Sequence, residues 1–248
     1  MKKLLLVLAL GCVMNVNASD INERREHIEK MESKISISSA KRKFRSEQIL
    51  SKYDVPINKN LPYIEDEHEA LVRSTEEIAK RAIALLTVAV KAHGVNQEGI
   101  DGIVETYDLE SVLSPNEVKF INDESPSEYD TTQFIWRYEA AWVLLWALGY
   151  VEELSYPSTI CDVNAAIAFV DQRSTEQFIS DAKLRPINEI LDETDLIYRY
   201  HWAVVDARIN GRPTPSGINS SVVLERHYTL NWLVGYMGQE WDDVSTDT

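Results

Sequence analysis

Apolar residues recur every three or four positions along most of the chain after residue 74, which is the spacing of one face of an α-helix. The first segment with this spacing contains Ile78, Ala82, Leu85, Leu86 and Ala89. Ser74 precedes it with Glu77 three residues later, the pattern of a capping box, and Gly94 follows it. No sustained stretch alternates apolar and polar residues as a half-buried strand would. The pattern therefore predicts an all-α fold.

Helix start signals continue along the rest of the chain. Capping residues, or a proline at a first helical position, predict helices that begin at Ser114, Thr131 or Thr132, Asp162, Ser174, Pro186, and Asn219 or Ser220. We expect the helix from Thr131 or Thr132 to run unbroken to Gly149, and the last helix to end near Tyr236. Residues 140–148 are apolar on every side, so protein should surround them. These elements predict a single multi-helix globular domain over residues 53–248.

The first 18 residues have the organisation of a secretory signal peptide. Lys2 and Lys3 form a basic start, residues 4–13 form an apolar run, and Val16 and Ala18 are the small residues that a signal peptidase requires. Cleavage after Ala18 would leave a polar leader over residues 19–52. We expect this leader to be helical and solvated, with a short helix near residues 46–52. The chain is therefore predicted to be exported, to the periplasm or outside the cell.

Cys12 provides an alternative export route. The sequence Ala9-Leu10-Gly11-Cys12 loosely resembles a lipobox, which would attach a lipid anchor to Cys12. Ala9 is a poor match to that motif and the preceding apolar run is short, so simple cleavage is favoured. Removal of Cys12 would leave Cys161 as the one thiol, which rules out an internal disulfide and favours a buried apolar role.

The composition of the chain restricts the classes of partner that it is expected to bind. The chain has 248 residues, of which 44% are hydrophobic and 26% charged, so it can bury a sizeable core. Its formal net charge of −15 repels phosphate backbones, and we expect no nucleic-acid partner. Anionic membrane surfaces are disfavoured for the same reason. Residues 140–148 cannot provide a transmembrane span, because the stretch is too short.

Three helical segments combine arginine, an aromatic residue or histidine, and a closing tryptophan. They are residues 137–142, 199–202 and 226–232. A charge in such apolar surroundings is costly unless it is paired, so the segments predict a buried polar network. Arg137 and Glu139 lie two positions apart and point to different sides of their helix. Each therefore needs a partner from another helix.

The spacing of the other charged residues indicates how the three segments meet. One face of the second helix carries Asp195, Arg199, Trp202 and Asp206. The pair formed by Asp195 and Arg199 has the favourable i,i+4 spacing. The last helix carries Glu225 on one face and His227 on another. We therefore predict that three helices meet at one polar seam.

The longest of these motifs resemble a known family. They are residues 136–149 (Trp-Arg-Tyr-Glu-Ala-Ala-Trp-Val-Leu-Leu-Trp-Ala-Leu-Gly), residues 195–203, and residues 225–228 (Glu-Arg-His-Tyr), with further likeness at residues 206–211 and 241–248. From about residue 41 to residue 248 the chain resembles a bacterial family described as domain of unknown function 4272. The resemblance implies an α-helical domain and supplies no activity, cofactor or catalytic residue. The signal peptide and leader look like additions to the usual cytoplasmic form.

Three interpretations of the polar seam are open. It can be a structural network that sets how the helices pack. It can be a ligand site for a protein partner or a small anion, with arginines as donors and tryptophans as apolar walls. The candidate ligand-binding residues are Trp136, Arg137, Asp195, Arg199, Trp202, Asp206, Glu225 and Arg226. It can also be a hydrolase site in which Glu139, His201 and His227 act as acid–base or metal-binding groups.

Recognisable catalytic motifs do not accompany these candidates. The chain has no His-x-x-x-His or His-Glu-x-x-His pair for zinc, no Gly-x-Ser-x-Gly nucleophile turn, and no glycine-rich phosphate loop. We therefore predict no cofactor and no metal site. Binding without catalysis is the favoured function, and hydrolysis is the alternative.

Overall fold

The computed structural model describes residue 26 and residues 36–248. The regular structure of these residues is entirely helical, which confirms the all-α prediction. The helices are α1 (Ile37–Lys52), α2 (Thr75–Ala92), α3 (Gln97–Thr106), α4 (Pro115–Ile121), α5 (Glu128–Ile135), α6 (Arg137–Ala147), α7 (Val163–Asp171), α8 (Thr175–Asp181), α9 (Ile187–Ile209) and α10 (Ser220–Leu233). Short 3₁₀ turns cover residues 215–217, 236–238 and 241–243. The predicted signal peptide lies outside the described residues.

Helix α2 lies in the core, as its apolar spacing predicted. The Glu77 N–H donates to the Ser74 hydroxyl at 3.3 Å, and the Ser74 N–H donates to the Glu77 carboxylate at 2.9 Å. The predicted capping box is therefore confirmed. Ile78, Ala82 and Leu85 are fully buried, and α2 packs along α6 and α5. Burial of each large apolar side chain contributes about 1.5–3 kcal/mol to stability.

Four packing contacts place the helices that carry the arginine segments. Helix α6 packs against both α2 and α10, α10 packs against α9, and α9 packs against α1. The segments around Arg137, Arg199 and Arg226 therefore lie on α6, α9 and α10, and α10 contacts the other two helices. Among the residues that the structure describes, no helix combines the length and apolar content required to cross a membrane.

The continuous helix expected from Thr131 or Thr132 to Gly149 is wrong. The chain divides at Trp136 into α5 and α6. At the junction the Glu139 N–H donates to the Trp136 carbonyl at 2.9 Å, an i to i+3 bond that tightens the turn. None of the α5 residues is buried, whereas most of α6 is buried. The division therefore separates a surface helix from a core helix.

The last helix is also shorter than predicted, because α10 ends at Leu233 and not near Tyr236. Gly235 follows with φ +69°, in the left-handed region. A Cβ at this position would lie 2.7 Å from the Leu71 carbonyl oxygen, so only glycine fits. The close approach allows the Leu71 N–H to donate to the Val234 carbonyl at 3.1 Å.

Residues 37–52, which the sequence placed in the polar leader, form α1 and pack against α9. The predicted helix near residues 46–52 thus begins at Ile37. Arg42 is buried on α1 and donates to Asp192 of α9 at 3.2 Å and to Glu67 at 2.6 Å. Ion pairs of Arg42 therefore hold α1 to the rest of the domain.

Candidate functional site

Helices α6 and α10 are joined by an ion pair that excludes water. The Arg226 Nε donates to Glu139 Oε1 at 2.8 Å, and these side chains are only 2% and 1% exposed. The Arg226 Nη1 also donates to the Ser155 carbonyl at 2.6 Å. The second Glu139 oxygen accepts the Cys161 N–H at 2.8 Å. Each charge of this pair is thus neutralised and hydrogen-bonded, as burial requires.

A second ion pair crosses the same interface in the opposite sense. The Arg137 Nη1 of α6 donates to Glu225 Oε2 of α10 at 2.7 Å. Arg137 also lies over the rings of Tyr228 and Trp241, with its guanidinium carbon 5.3 Å and 5.7 Å from the ring centres. The Arg137 and Glu225 side chains are 19% and 12% exposed, so the second pair is less completely buried than the first. The prediction that Arg137 and Glu139 need partners from another helix is confirmed.

The third arginine is paired within its own helix. The Arg199 Nε and Nη2 donate to the two Asp195 carboxylate oxygens at 2.8 Å and 2.6 Å, a bidentate contact buried on α9. The i,i+4 pair predicted from the sequence is therefore confirmed. The Arg199 Nη2 also reaches the Pro62 carbonyl at 3.3 Å, which ties α9 to the extended segment before α2.

Three of the candidate ligand-binding residues lie away from these pairs. Asp206, near the end of α9, accepts hydrogen bonds from Arg212 and from Asn210, the latter at 3.0 Å. Trp202 is half-buried and packs against the core. Trp136 is half-buried at the α5–α6 junction. The structure thus pairs each of the three arginines with a carboxylate, and Trp136, Trp202 and Asp206 take no part in those pairs.

A pair of histidines links α9 to α10. The Nδ1 atoms of His201 and His227 are 2.8 Å apart, and the rings meet edge to face with centres 5.0 Å apart. Burial lowers the pKa of His201 to about 4 and that of His227 well below its ordinary value. Both rings are therefore neutral at pH 7. One Nδ1–H donates to the other Nδ1 lone pair, so the tautomer of one ring sets that of the other.

His227 also lines a cavity of about 270 Å³, which we name the His227 cavity. Its walls come from the segment before α2, from α9 and α10, and from the chain after α10. The lining residues are Leu61, Pro62, Tyr63, Ile64, Glu65, Thr194, Tyr198, His227, Asn231, Val234, Tyr236, Asp247 and Thr248. The surface is mostly apolar, with a few polar groups, as small-molecule sites usually are.

A second cavity of about 190 Å³, the Cys161 cavity, lies near the α5–α6 junction. It is lined by His93, Ile135, Trp136, Tyr138, Glu139, Ile160, Cys161 and Val163. Burial raises the pKa of the Cys161 thiol and raises that of Tyr138 to about 12, so both groups stay protonated at neutral pH. A protonated thiol is a poor nucleophile.

The catalytic candidates are consequently divided between two places. His201 and His227 are in contact, and His227 faces the His227 cavity. Glu139 lines the Cys161 cavity and is held by Arg226. Within the described part of the chain, no group of three or more histidine, cysteine, aspartate or glutamate side chains is arranged to hold a metal ion.

Sequence reasoning missed most of the His227 cavity. Tyr63 and Glu65 come from the segment before α2, for which the sequence predicted no helix, and Asp247 comes from the acidic stretch after α10. Helical spacing did place Tyr198 on the stripe of His201, and Asn231 on the face of His227. No local pattern could show that these four elements enclose one space.

The fold and seam define an all-helical domain whose buried ion pairs and paired histidines adjoin a cavity. The family model described as Domain of unknown function (DUF4272) matches residues 42–244, so the chain belongs to that family. The family resemblance noted in the sequence is thereby confirmed. No match was found among the curated proteins or among the solved structures.

Proposed function

We propose that this protein binds a small molecule in the His227 cavity and does not catalyse a reaction on it. The carrying observation is the cavity itself, about 270 Å³ in volume and bordered by a buried histidine. Tyr63, Tyr198 and Tyr236 are half-buried in its wall, so the interior is within reach of solvent. A concave, largely apolar space with a few polar groups is a better binding site for a small molecule than for the surface of a protein partner.

The ion pairs support a structural role for the arginines beside this cavity. Arg137, Arg199 and Arg226 each hold a carboxylate of this chain. A small anion bound to any of them would add a second negative charge to a guanidinium that a buried carboxylate already neutralises, and an uncompensated buried charge is costly. The proposed ligand site is therefore the cavity beside the seam, with the arginines as its framework.

Hydrolysis by Glu139, His201 and His227 is the less favoured alternative. General acid–base catalysis requires groups within hydrogen-bonding reach of one reacting atom. Glu139 and His227 line different cavities, and Glu139 is already bound to Arg226. The arrangement gives the three groups no shared position for a substrate.

Saturation-transfer NMR with a fragment library tests the proposal, together with native mass spectrometry of protein purified from cells. Ile64→Trp should fill the cavity, because Ile64 lines it. Ile209→Trp is the matched control, because Ile209 is 75% exposed at the end of α9. Fragments that bind the parent and Ile209→Trp but not Ile64→Trp would support the proposal. Equal binding to all three proteins, or binding to none, would overturn it.

We also propose that the protein is exported through its first 18 residues. The support is the basic start, the apolar run and the small residues at Val16 and Ala18. Expression of the full chain in a bacterium, followed by fractionation and amino-terminal sequencing, tests this. A mature chain that begins at Ser19 outside the cytoplasm supports simple cleavage, and a lipid-modified Cys12 supports the anchor. A full-length cytoplasmic product argues against export.

A further inference from the structure

A cavity of about 120 Å³ lies where α1, α9 and α10 meet the segment of residues 154–157. Glu193 of α9 lines it, and we name it the Glu193 cavity. Among the described residues it shares no lining residue with the His227 cavity or the Cys161 cavity. We infer that the Glu193 cavity is a separate binding site for a small, uncharged carboxamide.

The first observation is a carboxyl group without a hydrogen-bond donor. Glu193 lines the cavity, and no hydrogen bond or ion pair to it is found among the described residues. Burial raises its pKa to about 7, the direction expected for a carboxyl that lacks a donor. Buried polar groups are nearly always hydrogen-bonded, so this carboxyl has an acceptor available for a ligand that enters the cavity.

The second observation is an unused donor on the neighbouring helix. Arg226 of α10 lines the same cavity and is only 2% exposed. Its Nε donates to Glu139 and its Nη1 donates to the Ser155 carbonyl, whereas its Nη2 has no hydrogen-bond partner within the described part of the chain. A guanidinium nitrogen can only donate. The Nη2 can therefore bind an acceptor in the cavity while the ion pair with Glu139 stays intact.

The third observation is a buried hydroxyl at the base of an aromatic wall. Tyr200 is 3% exposed and lines the cavity, and its hydroxyl makes no hydrogen bond to the residues that the structure describes. Burial raises the pKa of this hydroxyl, so it stays protonated at pH 7. The Tyr200 ring meets Tyr156 edge to face, and Tyr156 stacks on Tyr53 with centres 4.4 Å apart. Since Tyr53 is 39% exposed, these rings extend from the cavity to solvent.

The facing carboxyl and guanidinium groups select an uncharged ligand. A carboxylate would bring a second negative charge to Glu193, and an ammonium would bring a second positive charge to Arg226. Each ion would also leave one of these groups without a hydrogen bond, because a carboxylate only accepts and an ammonium only donates. A primary carboxamide does both, since its oxygen accepts from the Arg226 Nη2 and its nitrogen donates to Glu193.

Other charges near the cavity do not change this preference. Asp192, which acts electrostatically on Glu193, is already paired with two arginines of α1. The Lys52 ammonium lies 5.4 Å from the centre of the Tyr53 ring, but Lys52 is exposed and water screens its charge. The ring of Tyr53 is thus left to pack against the apolar body of the carboxamide.

Four probes of similar size test the selectivity: benzamide, acetophenone, benzylamine and benzoate. Acetophenone keeps the carbonyl of benzamide and replaces the amide nitrogen by a methyl group. Isothermal titration calorimetry at pH 7 should show benzamide binding at least about tenfold more tightly than each of the other three. A smaller preference over any of them would overturn the inference.

Two variants place the ligand in the Glu193 cavity. Glu193→Met and Tyr200→Phe keep the size of each side chain and remove its hydrogen-bonding atoms, so each should weaken benzamide binding at least about fivefold. The matched controls are Glu110→Met and Tyr129→Phe, because Glu110 and Tyr129 are exposed and line none of the three cavities. Benzamide binding that survives both cavity variants would overturn the inference.

Thermal melts of the same variants separate a binding role from a structural role. Groups without a partner in the fold cost stability when buried, so Glu193→Met and Tyr200→Phe should melt at or above the temperature of the parent. Lower melting temperatures for both variants would show that the two groups support the fold, and would overturn the inference.

Ile64→Trp distinguishes this site from the His227 cavity. Ile64 lines the His227 cavity and not the Glu193 cavity, so the variant should bind benzamide as tightly as the parent. Loss of benzamide binding in Ile64→Trp would place the ligand in the His227 cavity. That result would overturn this inference and leave the proposed function standing.

Discussion

The two halves of the polar seam satisfy their buried polar groups in different ways. Between α6 and α10, Glu139 and Arg226 are both nearly inaccessible and satisfy each other together with backbone groups. Between α9 and α10, His201 and His227 satisfy each other as neutral rings, and His227 also faces a cavity. In the ion-paired half the charges are committed to each other and to backbone groups, although Glu139 also lines the Cys161 cavity. In the histidine half, the neutral imidazole of His227 can form a hydrogen bond to a ligand, and no net charge is buried when it does so.

This difference explains why one half is framework and the other is a candidate site. Breaking a buried ion pair leaves an uncompensated charge, so a ligand cannot take over either partner of the ion-paired half without that cost. A neutral imidazole can exchange one hydrogen-bond partner for another at small cost, because its neutral form is already the stable one. Four changes test this contrast.

The largest effect is expected from Arg226→Ala. It leaves Glu139 buried at 1% exposure without its cation, which should lower the free energy of unfolding by about 3–5 kcal/mol. Urea denaturation followed by circular dichroism measures this. The double variant Arg226→Met/Glu139→Leu removes both charges and should recover most of the loss. A single variant as stable as the parent would show that the pair does not hold α6 to α10.

Arg137→Ala should have an intermediate effect. Its pair with Glu225 is 19% and 12% exposed, so water can partly solvate the remaining carboxylate. We expect a loss of about 1–3 kcal/mol by the same denaturation, between the values for a surface pair and a buried pair. A loss equal to that of Arg226→Ala would mean that water solvates the pair of Arg137 and Glu225 no better than the pair of Arg226 and Glu139.

The histidine half should respond to pH. The folded pKa values of His201 and His227 lie below those of the unfolded chain, so the unfolded state binds more protons as the pH falls below about 6.5. Above that pH the two histidines do not lower the free energy of unfolding. Between pH 7 and pH 5.5 the free energy of unfolding should fall by about 1 kcal/mol per histidine.

The double variant His201→Phe/His227→Phe isolates the histidine contribution. Glu193 has its pKa raised to about 7 by burial, and it acts in the opposite direction as the pH falls. The parent and the double variant both contain Glu193, so the difference between their stability profiles belongs to the histidines. Parallel profiles from pH 7 to pH 5.5 would contradict neutral burial of the pair.

The smallest effect is expected from Asp206→Ala. Its ion pair with Arg212 is 26% and 53% exposed and lies outside the seam. Removal of an exposed pair should change stability by less than about 1 kcal/mol. The same denaturation experiment checks this, and a loss as large as that of Arg137→Ala would extend the seam to the end of α9.

The fold was predictable to the extent that its signals were local. Capping boxes at Ser74 and Ser114 and the caps at Asp162 and Ser174 lie where the sequence indicated, because a cap is formed within three or four residues. Helix α3 was not predicted, although Asn96 caps it. Gly99 and Gly102 both lie within this ten-residue helix and lower its helix propensity, which obscured the signal.

The candidate site was predictable only in part, for the same reason. The pair formed by Asp195 and Arg199 follows from i,i+4 spacing on one helix. The pairing of Arg226 with Glu139, rather than with another carboxylate, depends on how α6 and α10 pack. The division between the Cys161 cavity and the His227 cavity depends on loops that carry no period.

The sequence by itself determined the all-helical fold, the family and the presence of buried charges that need partners. Periodicity, capping and long motifs are properties of residues close together in the chain, so they can be recognised from the sequence alone. The tertiary structure decided which carboxylate neutralises which arginine and which of the three segments borders the His227 cavity. Those outcomes depend on distances between residues far apart in the chain, and only packing sets such distances.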